Sequence, residues 1–187
     1  MNNVDDQEQR FTFRGHVDPK TKLPSGPGKL YFQKSDRMYL NSDFRHGLPN
    51  GKDCQIYYDR GKLCCSLRYR GEVVNGERHG DGIEFMPCGN LSYSGNFVEN
   101  YYNGKSAAYY CMTNGKCTYK GAFKTNKKDG FGISYHDNGQ IKYVGEWKNN
   151  YPKDGQITIF KKGGGISYRG LMKNGRSKCK KPFICFC

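Results

Sequence analysis

No stretch of this sequence stays apolar for the roughly 18 residues that a membrane-spanning helix needs, so no helical crossing of a bilayer is expected. Hydrophobic residues make up only 35% of the chain, and the mean hydropathy is −0.89. Residues 1–10 are polar and acidic, without the basic and apolar regions of a secretory signal. Asn2 stands where N-myristoylation requires a glycine, so that anchor is not expected. None of the nine cysteines forms a C-x-x-C pair, which sets aside a structural zinc site or a thioredoxin-like motif. Odd in number, irregularly spaced and without a signal, they read as reduced thiols in a cytoplasmic setting. No acidic residue follows Asp154.

Low hydrophobicity combined with a formal net charge of +14 is the usual signature of disorder, because too little apolar surface offsets chain entropy. What the chain does contain argues for a fold. It has 25 glycines, 15 tyrosines and 11 phenylalanines, and their placement is periodic. One comb is an aromatic, a spacer and a glycine: Phe13-Arg-Gly15, Tyr69-Arg-Gly71, Tyr93-Ser-Gly95, Tyr119-Lys-Gly121, Tyr143-Val-Gly145 and Tyr168-Arg-Gly170. Tyr39-Leu-Asn41 fills the long gap as a degraded copy, and the anchors are then 26, 30, 24, 26, 24 and 25 residues apart. A second comb runs through Gly26, Gly51, Gly80, Gly104, Gly130 and Gly155, extended to Gly-x-Gly at Gly28, Gly82 and Gly132. A third, Gly61, Gly89, Gly115, Gly139 and Gly164, falls just before the next aromatic anchor, twice as Asn-Gly.

Asn114-Gly115 and Asn138-Gly139 predict type I′ hairpin turns, which need positive φ at both central residues. Alternating segments such as Ile133-Ser-Tyr135 and Tyr143-Val-Gly-Glu-Trp147 predict short half-buried strands between turns. A hairpin this small cannot bury its own apolar face, so neighbours must stack. About thirteen strands spaced by about 4.8 Å would give a body roughly 60 Å long. The expected fold is all-β: an elongated single array of antiparallel β-hairpin repeats over residues 11–176. A polar segment, residues 1–10, precedes it, and a basic cysteine-bearing tail, residues 177–187, follows.

These combs resemble the MORN-repeat family, whose units carry Tyr-x-Gly, an aromatic two residues on, and then Gly-x-Gly. The best copies run from Tyr119-Lys-Gly-Ala-Phe123 to Gly130-Phe-Gly132, and from Tyr143-Val-Gly-Glu-Trp147 to Gly155. The resemblance implies a structural ladder of aromatics at Phe13, Tyr39, Tyr69, Tyr93, Phe97, Tyr119, Phe123, Tyr143, Trp147 and Tyr168. Beside it runs a ladder of glycines at Gly15, Gly71, Gly95, Gly121, Gly145 and Gly170. Repeat two departs from the pattern, with Asn41 at the glycine position and Phe44 one place late, so a bulge is expected there. Repeat four lacks the second glycine and reads Gly104-Lys-Ser106. The family resemblance implies a scaffold that links membranes, cytoskeleton and protein partners.

No catalytic constellation emerges. Gly104-Lys-Ser106 looks like the end of a phosphate-binding loop, but Glu99 stands where that motif needs its first glycine. His79, Asp129 and Asp154 each precede a comb glycine, where they can bond turn amides, but they sit in different repeats. No catalytic, metal or cofactor residue is assigned. The charge is lopsided: Lys161, Lys162, Arg169, Lys173, Arg176, Lys178, Lys180 and Lys181 place +8 of the +14 in the last 33 residues. These eight are candidates for an acidic partner or an anionic membrane surface. Cys185 and Cys187 beside them are candidates for lipidation, which would add the second signal of a stable anchor; the Cys-x-Cys end is not a C-a-a-X box, because Ile184 takes that cysteine's place. The aromatic spacing by itself does not call for nucleic acid, which is not an expected partner on this reading, since a structural ladder accounts for it without a ligand. The expectation is a non-catalytic scaffold or adaptor for protein partners, cytoplasmic or membrane-peripheral, with self-association through sheet edges. A virion component and a nucleic-acid binder at the basic end are the alternatives.

Overall fold

The computed structural model of the protein describes residues 11–33, 37–58, 66–110 and 114–177. Among these residues all regular structure is strand, in sixteen pieces. The chain divides into two compact units, Met1–Gly89 and Asn90–Cys187. The first contains β1 (Phe11–Val17), β2 (Pro24–Phe32), β3 (Met38–Arg45), β4 (Leu48–Pro49), β5 (Gly51–Tyr57), β6 (Leu67–Val74) and β7 (Glu77–Phe85). The second contains β8 (Leu91–Val98), β9 (Tyr101–Tyr110), β10 (Cys117–Lys124), β11 (Lys127–Tyr135), β12 (Ile141–Lys148), β13 (Tyr151–Pro152), β14 (Gly155–Phe160), β15 (Ile166–Lys173) and β16 (Arg176–Ser177). Within each unit the strands lie side by side in chain order, antiparallel and open, as consecutive hairpins must. β4 and β13 are the first two residues of strands that break before β5 and β14.

Tyr69, Tyr93, Tyr119 and Tyr143 are 0% exposed. Each ring folds flat against its own strand, over the glycine two residues on. A Cβ on Gly121 would lie 2.6 Å from the Tyr119 hydroxyl, and Gly71 stands in the same relation to Tyr69. The ring also covers the small residue on the following strand: Gly82 under Tyr69, Ala107 beside Gly95 under Tyr93, and Gly132 under Tyr119. Tyr-x-Gly and Gly-x-Gly are thus the two walls of one slot, paired in register as Gly71↔Gly82 and Gly121↔Gly132. In repeat four the facing residue is Ala107 rather than Ser106, which explains how that repeat dispenses with a second glycine.

The hydroxyl explains why the anchor is Tyr. Tyr69, Tyr93, Tyr119, Tyr143 and Tyr168 each donate to the carbonyl three residues ahead, at 2.8 to 3.1 Å. A buried phenol would otherwise lose its water partner without replacement. Four residues after the anchor comes Val73, Phe97, Phe123, Trp147 or Met172, all buried. In the second unit the two positions interlock edge to face as Phe97–Tyr93–Phe123–Tyr119–Trp147–Tyr143, with centroids 5.1 to 5.5 Å apart.

Repeat two differs from the sequence reading. The anchor position belongs to Leu40, not Tyr39: Leu40 pairs with Ile56 as Tyr143 pairs with Ile159. Leu40, Ser42 and Phe44 are all buried, so Phe44 is in place, four residues on. Tyr39 is the extra residue of a β-bulge between Leu30↔Leu40 and Tyr31↔Met38. The expected bulge is there, but it is no defect of repeat two. Arg68, Thr118, Lys142 and Ser167 occupy the same bulge just before their anchors. The ring of Tyr39 stacks instead on Phe11, 4.4 Å between centroids.

The tight turns also differ. Asn138 does not have positive φ. The 136–139 turn closes by a bond from the Gly139 amide to the His136 carbonyl, and only Gly139 is left-handed (φ 87°), as in a three-residue loop. The two-residue turns with both φ positive are His46-Gly47, Asn75-Gly76, Glu99-Asn100, Thr125-Asn126, Asn149-Asn150 and Asn174-Gly175. Their second residue lies seven places after each anchor and is always Gly or Asn, the residues that best tolerate that conformation.

Candidate interaction surface

Alternation sends the residues between the buried ones to the opposite face of the sheet. In the second unit, register pairs line up Ser94, Ala108, Lys120, Ile133, Val144, Thr158 and Arg169 across successive strands. Ala108, Ile133, Val144 and Thr158 are half-buried, while Lys120 and Arg169 are exposed. A neighbouring row carries Phe131 opposite Glu146, and Gln156 opposite Leu171. Phe131 is 57% exposed and Leu171 51%. The floor around Lys105, Lys120, Ala122, Phe131, Ile133 and Glu146 forms an open groove of about 570 Å³. Asp129 also borders it, but Lys148 Nζ lies 3.1 Å away, and that ammonium holds the carboxyl below the usual carboxylate range.

The ladder residues do not line this surface. Phe97, Phe123, Trp147 and the inner tyrosines are enclosed. Their covering includes Tyr102, stacked 3.9 Å above Tyr93, and Lys128, whose Nζ lies 5.0 Å from the centroids of both Tyr119 and Trp147. Burial, with Lys142 nearby, lowers the pKa of Lys128. Burial likewise pushes the Tyr143 phenol up to about 12, and drives Tyr69, Tyr93 and Tyr119 higher still. Tyr168 is half-buried and Phe13 half-buried, at the two outer repeats.

Of the basic candidates, Lys161, Lys162, Arg169 and Lys173 are exposed, and Lys162 pairs with Asp137 at 2.9 Å. Arg176 lies on β16 opposite Lys173. Lys178, Lys180, Lys181, Cys185 and Cys187 fall outside the described residues. Asp154 accepts hydrogen bonds from the Asn174 and Gly175 amides and so caps the last tight turn, which holds its carboxyl below the usual range. His79 lies opposite Glu72 in the first unit, remote in the chain from Asp129 and Asp154. Among the described residues no three His, Cys, Asp or Glu side chains are grouped to hold a metal ion.

Sequence reasoning missed Phe131 and Leu171. Each sits at an alternating position within its strand, and a face assignment made once per strand would have separated them from the ladder. Compared with known proteins, the chain matches no family model and no curated protein. No helix among the described residues is long and apolar enough to cross a membrane.

Proposed function

We propose that the chain is a non-catalytic scaffold that binds a protein partner on the open face of its second unit. One observation carries this reading. Ile133, Val144 and Thr158 form a half-buried strip, Phe131 and Leu171 stand exposed beside it, and Lys120 and Arg169 bracket it. Exposed aromatics and aliphatics rimmed by charge mark interaction surfaces more often than catalytic ones. Lys120 and Arg169 are four strand spacings apart, about 19 Å. A matching partner segment is therefore apolar for about six extended residues and acidic at both ends. The comb resemblance to MORN repeats, a family of scaffolds, supports the same reading.

The test is affinity capture from the native source with full-length protein and two paired variants. Phe131→Ser with Leu171→Ser removes the apolar anchors, and Lys120→Glu with Arg169→Glu reverses the rim. Both pairs should lose the same captured protein by tenfold or more while unfolding within about 1 kcal/mol of the wild type, as exposed substitutions do. Capture that is indifferent to both pairs would sink the reading.

A further inference from the structure

The aromatic ladder accounts for the tyrosines at anchor positions, but it leaves Tyr151 unexplained. That ring is 72% exposed, more than any other large hydrophobic residue described in the protein. It flanks a tight turn opposite Lys148. The corresponding pairs at the neighbouring turns are Lys124↔Lys127 and Lys173↔Arg176. In the first unit the equivalent pairs are Arg45↔Leu48 and Val74↔Glu77, so the concentration of cations is not a requirement of the turn. The two units differ in charge as a whole. Residues 90–187 hold 17 Lys and Arg against 5 Asp and Glu, a net +12, while residues 1–89 hold 14 against 12, a net +2.

We infer that the hairpin tips at Lys124–Lys127, Lys148–Tyr151 and Lys173–Arg176 form a track for single-stranded nucleic acid, separate from the open face proposed above for a protein. The chemistry is a row of ammonium groups for phosphates around an exposed ring on which a base can stack. Lys124, Lys127, Lys153 and Lys173 are exposed and form no ion pair among the described residues, whereas Lys148 is engaged with Asp129. Glu99, in the preceding turn, closes the track at that end.

Geometry selects a flexible strand over a flat surface. Successive tips are two strands apart, about 9.6 Å. Sheet twist turns each tip by roughly 40–50° from the last, so three tips span roughly 80–100° of rotation. A planar bilayer would meet one or two of them, whereas a single strand can follow all three. An acidic peptide would pair with the lysines but would leave the Tyr151 ring with nothing flat to cover.

The experiment is fluorescence anisotropy of a labelled thymidine 20-mer titrated with the full chain between low and physiological salt. Tyr151→Ala should weaken binding about tenfold, the order of a lost base–aromatic stack. Alanine at Lys124, Lys127, Lys153 and Lys173 together should lower the salt slope by about 3, since each phosphate contact to a single strand contributes about 0.7. A control with alanine at Lys178, Lys180 and Lys181 should keep more of the affinity than the tip variant. Four results would each overturn the inference. They are absence of binding at low salt, indifference to Tyr151→Ala, loss confined to the tail control, and stronger binding to phosphatidylserine vesicles or polyglutamate than to the oligonucleotide. The Lys124, Lys127, Tyr151, Lys153 and Lys173 side chains are exposed, and unchanged thermal melting of each variant shows that the fold is intact.

Discussion

The Tyr119 ring sits over Gly121 and Gly132 while its hydroxyl reaches the Ala122 carbonyl at 3.1 Å. In repeat two the smaller Leu40 holds the anchor position, and buried Ser42 stands where other repeats have the slot glycine, its hydroxyl meeting the Cys54 thiol at 2.6 Å. Anchor and slot therefore vary as a pair. Leu40→Tyr alone should destabilise the protein by about 1–3 kcal/mol through overpacking against the Ser42 side chain. Adding Ser42→Gly should return 1 kcal/mol or more, because contacting residues couple. Urea unfolding of the two singles and the double measures this, and simple additivity would count against the slot. Such a trade between neighbours was not legible in the sequence. Tyr39 carries the expected side chain one position early, and only the Leu40↔Ile56 pairing shows which of the two faces the core.

Among the elements, the tight turns do more than reverse the chain. The Asn126 amide donates to the Tyr102 carbonyl and its side-chain oxygen accepts from the Tyr102 amide, at 3.0 and 2.7 Å. Asn150 repeats both bonds with Lys128, at 3.0 and 2.9 Å. Each turn thus ties its hairpin to the one before. Asn150→Ala should cost about 1–2 kcal/mol, combining a lost side-chain bond with a left-handed residue that alanine resists. Asn150→Gly should cost less, since the backbone bond and the positive φ survive. Thermal melts of the two variants decide this, and equal losses would show that the backbone conformation contributes nothing. The comb of Gly or Asn at seven residues past the anchor was present in the sequence. It stayed hidden because Asn-Gly at 138–139 is the stronger local signal, and because only Leu40, not Tyr39, places Gly47 in that comb.

At the scale of the whole molecule, the enclosed tyrosines make the fold sensitive to alkali. Each phenol is neutral in the folded protein, with Tyr143 pushed up to about 12 and Tyr69, Tyr93 and Tyr119 above that. An unfolded tyrosine ionises near pH 10. Below that pH the contribution of these rings is complete. Above it the unfolded chain loses protons that the folded chain retains, so stability falls as pH rises toward the folded values. Unfolding free energy should therefore begin to fall gently above about pH 8.5, where burial also holds the Cys54 and Cys117 thiols protonated, and fall steeply between about 10 and 12. Phenolate absorbance should rise in the same range, first for exposed rings such as Tyr151 and then cooperatively with unfolding. A single smooth titration near pH 10 would contradict the enclosure of the ladder.

By itself the sequence determined that this protein is a run of β-hairpins with a period of about 25 residues. That information is local, because glycine, asparagine and aromatic side chains act on their own strand and the next one. Only the tertiary structure decided which residue of a neighbouring pair faces the core, since a one-residue slip in an antiparallel ladder exchanges the two faces. A bulge just before the anchor introduces such a slip in five of the repeats, at Tyr39, Arg68, Thr118, Lys142 and Ser167. Register across the strands then gathered Phe131, Leu171, Lys120 and Arg169 on one open face and left Tyr151 among the lysines of the tips. Those groupings join residues up to about 50 positions apart, and periodicity along the chain does not carry them.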